Sequence, residues 1–267
     1  MRISVLQAAL APGDRAANME RMRRMVGEAA AGSPDVIVMP ELWDIGFYPA
    51  DVLALSDPEG AVAGAFLSGL ARSHGVNIVG GSIARRVGGG VRNTCLVFDR
   101  NGDCAGLYDK CHLFSPGHED RHFEPGNAAV TVTLDGVTTG ILICYDLRFG
   151  EFAARLARLG AELIVVAAAW PHPRLEHWRL LLRARALENQ CFVAAANGCG
   201  RLGKLTFCGH SAVVNPDGTI LAEAEEEPAC LSVDCDMAEA QAARSRITVF
   251  ADRRPELYAN PNERQGG

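Results

Sequence analysis

The stretch Gly140-Ile-Leu-Ile-Cys-Tyr-Asp-Leu-Arg-Phe149 decides how this chain is interpreted. Its apolar run, 141–143, predicts the end of a buried strand, and a helical segment, 151–159, follows a few residues later. Cys144 therefore stands where a strand turns into a helix. Such a turn presents a nucleophile to a cleft and aims the next backbone N–H at an oxyanion. A cysteine in an apolar strand is also a common core residue, so Cys144 alone leaves both interpretations open.

The overall composition narrows the class of protein. Of the 267 residues, 48% are hydrophobic and 22% are charged, which is typical of a soluble globular protein. The formal net charge of -6 gives no electrostatic attraction for nucleic acid or an anionic membrane, so neither partner is expected. Nine scattered cysteines without a CxxC pair favour reduced thiols and a cytoplasmic location. No apolar run approaches the ~20 residues of a membrane span.

Strand-like and helix-like segments alternate along the chain without a linker or a break in composition, which predicts a single domain over residues 1–267. An α/β fold is expected, with mixed sheets and helices on their outer faces, and so many strands favour two packed sheets over one very wide sheet. Asp14 is predicted to cap the first helix. The predicted strands are 3–10, 35–39, 77–83, 93–99, 104–108, 130–134, 138–143, 162–168, 191–196, 211–214, 219–222 and 231–234, and the later helices are 61–73, 151–159 and 175–189.

Three predicted strands end on a reactive side chain. Glu41 directly follows a buried strand and a proline, an unusual place for a solvated carboxylate. Lys110 ends a strand of the hairpin around 100–103, and Cys144 ends the run described above. Taken one at a time, each has a structural explanation that is at least as good as the functional one.

Taken together, Met39-Pro-Glu-Leu42, Tyr108-Asp-Lys-Cys-His-Leu-Phe114 and the Cys144 stretch resemble the motifs of the nitrilase superfamily of carbon–nitrogen hydrolases. The resemblance covers essentially the whole chain. It implies a four-layer α-β-β-α sandwich and a Glu-Lys-Cys triad of Glu41, Lys110 and Cys144. No metal or organic cofactor is implied.

The same resemblance implies a second glutamate in the pocket, upstream of a Phe-x-Pro-Gly segment. In this chain Phe123-Glu-Pro-Gly126 follows Glu119 by four residues, so the role is assigned to Glu119, with Glu124 as the alternative.

These residue types suit the hydrolysis of an amide. Glu41 can take the proton of the Cys144 thiol, which then attacks the amide carbon. Lys110 and the backbone N–H of Tyr145 can stabilise the oxyanion, and Glu119 is expected to hold Lys110 in place. Ammonia leaves a thioester, which water activated by Glu41 then hydrolyses.

The segment Trp170–Gln190, together with Cys208-Gly-His-Ser211 and the segment 253–258, looks like the ω-amidase branch of the superfamily. That branch hydrolyses the terminal amide of 2-oxoglutaramate or 2-oxosuccinamate, so the expected substrate is a small ω-amide with a carboxylate at its far end. A guanidinium can bind a carboxylate in a bidentate fork, and Arg174 is the candidate. Trp170 is expected to form a wall of the pocket.

Arg148 lies close to Cys144 in sequence. We expect it to pair with Asp146 or Glu151 as structural support, although it is the second candidate for a substrate carboxylate.

Other functions remain open at this point. An N-carbamoyl amino acid or carbamoylputrescine hydrolase would use the same triad, and a binding protein could retain an inert one. A papain-like cysteine–histidine pair would leave Glu41 and Lys110 without a role. A metal site in the 118–122 loop fits no standard zinc spacing. The candidate histidines for the cysteine–histidine pair are His112, His118, His122 and His210, and the candidate metal ligands are His118, Glu119, Asp120 and His122.

The resemblance also implies a homodimer or higher homo-oligomer. The segment after Cys144 and the tail from Met237 to Tyr258 are the expected interface elements. The last residues, 265–267, are expected to be disordered.

Overall fold

The computed structural model describes residues 1–47 and 49–258, so the expectation for 265–267 lies outside the described residues. Its helices are α1 Arg15–Ala30, α2 Val52–Leu55, α3 Ala61–His74, α4 Gly150–Arg158, α5 Leu175–Asn189, α6 Ala238–Arg246 and α7 Val249–Asp252. Short 3₁₀ helices cover Ser115–Gly117, Glu119–Arg121, Cys144–Arg148 and Pro255–Leu257. None of the helices in these ranges is long and apolar enough to cross a membrane.

The strands are β1 Arg2–Gln7, β2 Val36–Val38, β3 Asp57–Pro58, β4 Asn77–Val79, β5 Ile83–Val87, β6 Gly90–Phe98, β7 Cys104–Asp109, β8 Thr131–Leu134, β9 Val137–Ile143, β10 Leu163–Ala168, β11 Phe192–Asn197, β12 Cys199–Leu202, β13 Leu205–Cys208, β14 Ala212–Val214, β15 Ile220–Glu223 and β16 Ala229–Asp234. Within the described part of the chain they form an eight-stranded sheet, a six-stranded sheet and a small hairpin. The first sheet has the order β16-β1-β2-β4-β6-β5-β3, with β7 beside β6, and the second has the order β15-β14-β11-β10-β9-β8.

The two sheets pack face to face because their central strands are apolar on both sides. Val5 and Val38 of the first sheet share a buried core with Val165 and Ala194 of the second. On the outer face of the first sheet, Ile37 packs with residues of α1 and α3. Helices α4 and α5 cover the second sheet. This arrangement confirms the predicted mixed α/β fold and its four-layer sandwich.

The parallel strands of both sheets direct chemistry-bearing residues to one end of the sandwich. Strand β2 leads to Glu41, and β9 leads to Cys144. The backbone N–H of Glu41 donates across the sheets to the carbonyl of Ala168, at the end of β10, over 3.3 Å. The carboxyl ends of strands from both sheets therefore meet at the same place.

The predicted strand 77–83 is in fact two strands, β4 and β5, with Gly80 and Gly81 between them. Gly81 has a φ of +59°, and a Cβ atom on it would lie 2.0 Å from the carbonyl oxygen of Pro40. The chain can approach Pro40, the neighbour of Glu41, this closely only because glycine has no side chain. The split was not visible in the apolar pattern.

Two further elements bear on the sequence analysis. The Asp14 side chain caps α1 as predicted, accepting from the Ala17 N–H at 3.0 Å. The hairpin β12–β13 was not predicted, and it places Leu205 among the residues that line the site described below.

Candidate active site

Lys110 lies at the centre of the site and is almost completely buried. Its ammonium group donates to Glu41 Oε1 at 2.8 Å and to both oxygens of Glu119, at 2.8 and 3.0 Å. Burial disfavours the charged form, but the two carboxylates outweigh it and raise the pKa of Lys110 above its ordinary value. Lys110 is therefore a permanent cation in this site.

Glu41 has no exposed surface, and both of its oxygens are held. Oε1 accepts from Lys110 and from the Asn93 amide at 2.9 Å, while Oε2 accepts from the backbone N–H of Ala169 at 2.9 Å. Burial raises the pKa of Glu41, and Lys110 opposes that effect. A carboxylate whose pKa is raised and whose oxygens are held in place by several donors is suited to act as a general base.

Cys144 begins a 3₁₀ helix with a φ of +47°, a left-handed conformation that is uncommon outside glycine. Its side chain is buried within hydrogen-bonding reach of Glu41. Burial, together with the negative charge of Glu41, raises the pKa of the thiol well above its ordinary value, although Lys110 and the Ala169 N–H act in the opposite direction. The thiol is therefore protonated at rest and needs a base to become a nucleophile.

Glu119 completes the cluster from the 3₁₀ segment after Ser115–Gly117. Besides Lys110, its carboxylate accepts from the Phe114 N–H at 2.6 Å and from Asn93 at 3.0 Å. Glu124, the alternative for this role, lies on the surface, with its carboxylate 3.8 Å from the Arg92 guanidinium. The structure thus brings Glu119 to Lys110 and leaves Glu124 outside the site.

Asn93 was missed by the sequence analysis. It is completely buried on β6, and its backbone carbonyl oxygen accepts from the Lys110 backbone N–H at 2.9 Å. The available signal was a run of three polar residues, Arg92-Asn93-Thr94, in the middle of the strand. That signal gains meaning only when the pairing of β6 with β7 is known, because the pairing brings Asn93 beside Lys110.

The turn after Cys144 is fixed by Asp146, which is completely buried. Its carboxylate accepts from the Ile143 N–H at 2.9 Å and from the Tyr108 hydroxyl at 2.7 Å. It also accepts from the His112 N–H at 3.0 Å and lies 2.8 Å from His112 Nδ1. These contacts tie the turn at the nucleophile to the segment that carries Lys110.

The expected pairing of Arg148 with Asp146 or Glu151 is therefore wrong. Asp146 is already surrounded by the donors just described, and Arg148 points the other way. Its guanidinium lies 4.8 Å from the ring centroid of Trp170 and 3.3 Å from His177 Nδ1. Arg148 thereby becomes a wall of the cavity rather than a support beneath it.

A cavity of about 390 Å³ opens onto Cys144 and Lys110. All three predicted substrate-binding residues, Tyr145, Trp170 and Arg174, line it, as Arg148 does. The Arg174 guanidinium lies 5.7 Å from the ring centroid of Phe114. Cys144, Lys110 and two guanidinium side chains thus share one largely apolar cleft, which is typical of a small-molecule site.

The rival arrangements do not form in the described residues. None of the four candidate histidines is among the residues lining the cavity with Cys144. His210 instead lies 2.9 Å from the Glu223 carboxylate. Across residues 1–47 and 49–258, no group of three or more His, Cys, Asp and Glu side chains is placed to hold a metal ion. Glu119, a candidate ligand in the loop, is turned toward Lys110.

The fold and the site together define a nitrilase-superfamily amidase. The carbon-nitrogen hydrolase family model matches residues 2–245, and the chain belongs to that family. The 2-oxoglutaramate amidase of Bacillus subtilis is 39% identical over 256 residues, covering 96% of this chain and 98% of that protein. The omega-amidase NIT2 of Homo sapiens is 33% identical and covers 91% of each chain.

A solved structure of a mutant amidase from Nesterenkonia sp. AN1 is similar to this one, with a TM-score of 0.86 and 31% sequence identity, covering 97% of this chain and 98% of that chain. It shows the result of Michael addition of acrylamide at the active site cysteine of that amidase. The comparisons confirm the predicted family, the predicted fold and a carbon–nitrogen hydrolase that acts on amides.

Proposed function

We propose that the protein is an ω-amidase that hydrolyses the terminal amide of a small substrate with a carboxylate at its far end, of the 2-oxoglutaramate or 2-oxosuccinamate type. One observation carries the proposal: a buried thiol beside a carboxylate and an ammonium opens into a cavity that also holds two guanidinium groups. The names of the relatives from Bacillus subtilis and Homo sapiens support this substrate class.

In the first half of the proposed reaction, Glu41 takes the thiol proton and Cys144 Sγ forms a bond to the amide carbon. The Lys110 ammonium, held as a cation by two carboxylates, stabilises the oxyanion together with the Tyr145 N–H. When the tetrahedral intermediate collapses, the C–N bond breaks and Glu41 returns its proton to the leaving nitrogen. The products of this half are ammonia and a thioester on Cys144.

In the second half, a water molecule replaces ammonia beside Glu41. Glu41 takes a proton from that water, and the resulting hydroxide attacks the thioester carbon. The C–S bond breaks, the acid leaves, and the proton returns to Cys144. Glu119 takes no proton in this scheme, because its role is to hold Lys110 against the oxyanion and to keep the 114–121 loop in place.

The substrate carboxylate is assigned to Arg174. Arg174 lines the cavity at the N-terminal end of α5. Its backbone oxygen accepts from Trp170 Nε1 at 2.9 Å, and this bond holds the Arg174 backbone beside the Trp170 ring. Both guanidinium groups lie near an aromatic ring, Arg148 4.8 Å from the Trp170 centroid and Arg174 5.7 Å from that of Phe114. Arg148 is also 3.3 Å from His177 Nδ1, whereas no hydrogen bond of the Arg174 guanidinium is formed with the described residues. A guanidinium whose N–H groups are not already engaged suits a bidentate carboxylate better than one that has a side-chain partner.

An ammonia-release screen tests the proposed substrate class. We expect turnover of 2-oxoglutaramate and 2-oxosuccinamate to exceed that of an N-carbamoyl amino acid and of a simple nitrile. The Cys144→Ala variant serves as the control and should lose activity by roughly 1,000-fold or more, since the nucleophile is gone.

Two results contradict this proposal. Preferred release of ammonia with carbon dioxide from the carbamoyl compound identifies the N-carbamoyl hydrolase instead. No turnover of any amide by a folded protein identifies a binding protein with an inert triad.

Replacing Arg174 tests the carboxylate assignment. Arg174→Ala should raise KM for 2-oxoglutaramate by roughly 10- to 100-fold, because a charge-assisted contact made in ground and transition states is lost. KM for a neutral amide such as propionamide should change little. Arg148→Ala is the matched control, and the assignment is wrong if it shows the larger selective effect, or if Arg174→Ala weakens both substrates equally.

We also propose a homodimer. Large apolar side chains remain exposed on α5 and near the C-terminal helices, including Leu180, Leu187, Ile247 and Leu257, each more than half exposed. A second copy of the chain would remove them from water. Multi-angle light scattering should give twice the 28.5 kDa mass of one chain, and Leu180→Asp should shift the population toward monomer. A monomeric parent protein at micromolar concentration contradicts the proposal.

Two further expectations stand as proposals. Residues 1–267 are proposed to form a single domain, supported by a family model that runs through 2–245 without interruption. A cytoplasmic location is proposed, supported by nine free cysteines, several of them deep in the core. The proposed reaction uses only side chains and water. We propose that the partner bound in the cleft is a small-molecule amide, and that the protein binds neither nucleic acid nor a membrane.

A further inference from the structure

Asn93 is the neutral residue among the buried charges. Its side-chain N–H groups donate to Glu41 Oε1 at 2.9 Å and to Glu119 Oε1 at 3.0 Å. The Lys110 ammonium donates to the same two oxygens, at 2.8 and 3.0 Å. Each Oε1 atom therefore accepts from both Asn93 and Lys110, and the four side chains form a closed ring.

The orientation of the Asn93 amide is set by its surroundings. The reverse orientation would bring Oδ1 against two carboxylate oxygens, which cannot donate. In the orientation found, Oδ1 is buried and accepts no hydrogen bond from any described residue. Buried polar atoms are nearly always paired, so an unpaired one calls for an explanation, and a functional role is one of them.

The charges of the site explain why an amide is suited to this position. Two carboxylates and one ammonium leave a formal charge of -1 with no exposed carboxylate surface. A second cation here would neutralise the base, whereas an apolar side chain would leave the carboxylates poorly solvated. An amide supplies two donors and carries neither charge nor a transferable proton.

The donor count also distinguishes the two oxygens of Glu41. A carboxylate oxygen offers about two lone pairs for hydrogen bonding. Oε1 already accepts from Lys110 and Asn93, while the Ala169 N–H is the one nitrogen donor to Oε2 among the described residues. Oε2 is therefore the oxygen with room for a proton.

We infer that Asn93 is a positioning residue of the amidase reaction: its two N–H donors stabilise the ionised form of Glu41, hold Glu119 in place beside Lys110, and direct the Cys144 proton to Oε2 of Glu41. The inference rests on the roles proposed above for Glu41 and Cys144. The inference adds Asn93 to the site as a residue that contacts the base, Glu41, and Glu119, and that affects the reaction through these two carboxylates.

The pH profile of Asn93→Leu tests it, because leucine has a similar branched shape and no donor. The charged and titratable groups facing Glu41 (Lys110, Glu119 and Cys144) all remain in the variant. The base works only when ionised, so activity is lost as the pH falls through the pKa of Glu41. Removing a donor raises that pKa further, and the acidic limb of kcat/KM should move up by about one pH unit or more. KM should stay within about twofold, and on the acidic limb kcat/KM should fall roughly tenfold for each unit of that shift.

Asn77→Leu is the matched control. Asn77 is equally buried, and its amide also donates to two acceptors, the Asp35 carbonyl and the Asp135 carboxylate, both at 2.7 Å. It lies on β4, away from the cavity-lining residues. Its replacement should lower the melting temperature and leave the acidic limb in place. Should Asn93→Leu fail to fold, the smaller Asn93→Ser is expected to shift the limb in the same direction.

A second readout needs no amide substrate. Alkylation of Cys144 by iodoacetamide, followed by mass spectrometry of its peptide, should show the same upward shift in Asn93 variants. A shifted alkylation profile in a protein without ω-amidase activity leaves the inference standing while the substrate proposal fails. Folded Asn93 variants with the parent's pH profiles in both assays overturn it, since a merely structural residue would change stability alone.

Discussion

A buried lysine shared by two buried glutamates constrains this end of the sandwich more than any other interaction. An ammonium without exposed surface is tolerated only beside compensating charge, and removing one partner of such a pair typically costs about 3–5 kcal/mol. Glu41, Lys110 and Glu119 come from three separate segments of the chain. Because these three buried charges must stay paired, the ends of β2 and β7 and the 115–121 segment are held at fixed positions relative to one another. The geometry of the site follows from that requirement.

The reactive thiol depends on the same cluster. Cys144 is held in a left-handed turn whose Asp146 carboxylate is bound to Tyr108 and His112, on either side of Lys110 in sequence. The nucleophile and the cation are thus attached to each other through buried hydrogen bonds as well as through Glu41. The thiol is protonated at rest and the pKa of Glu41 is raised. One proton can therefore move from Cys144 to Glu41 while the total charge of the pair stays the same.

The residues that the structure brings together were found from the sequence where each lies near the end of a strand. Glu41, Lys110 and Cys144 each follow a predicted strand, and the family resemblance joined them and led to Glu119 through its Phe-x-Pro-Gly segment. The sequence did not suffice where the answer depends on tertiary pairing. Asn93 gains its role only through the register of β6 with β7, Arg148 lost its expected partner because Asp146 is bound by the chain around Lys110, and the break between β4 and β5 depends on the close approach to Pro40.

The most direct test of a thioester on Cys144 is a partition experiment with hydroxylamine. The enzyme would hydrolyse an ω-amide and the corresponding ω-methyl ester in the same hydroxylamine buffer, and the ratio of hydroxamate to acid would be measured for each. A common acyl-enzyme has lost the leaving group before it meets water or hydroxylamine, so the account predicts one ratio for both substrates. Ratios that differ with the leaving group would show direct attack by water and contradict covalent catalysis by Cys144.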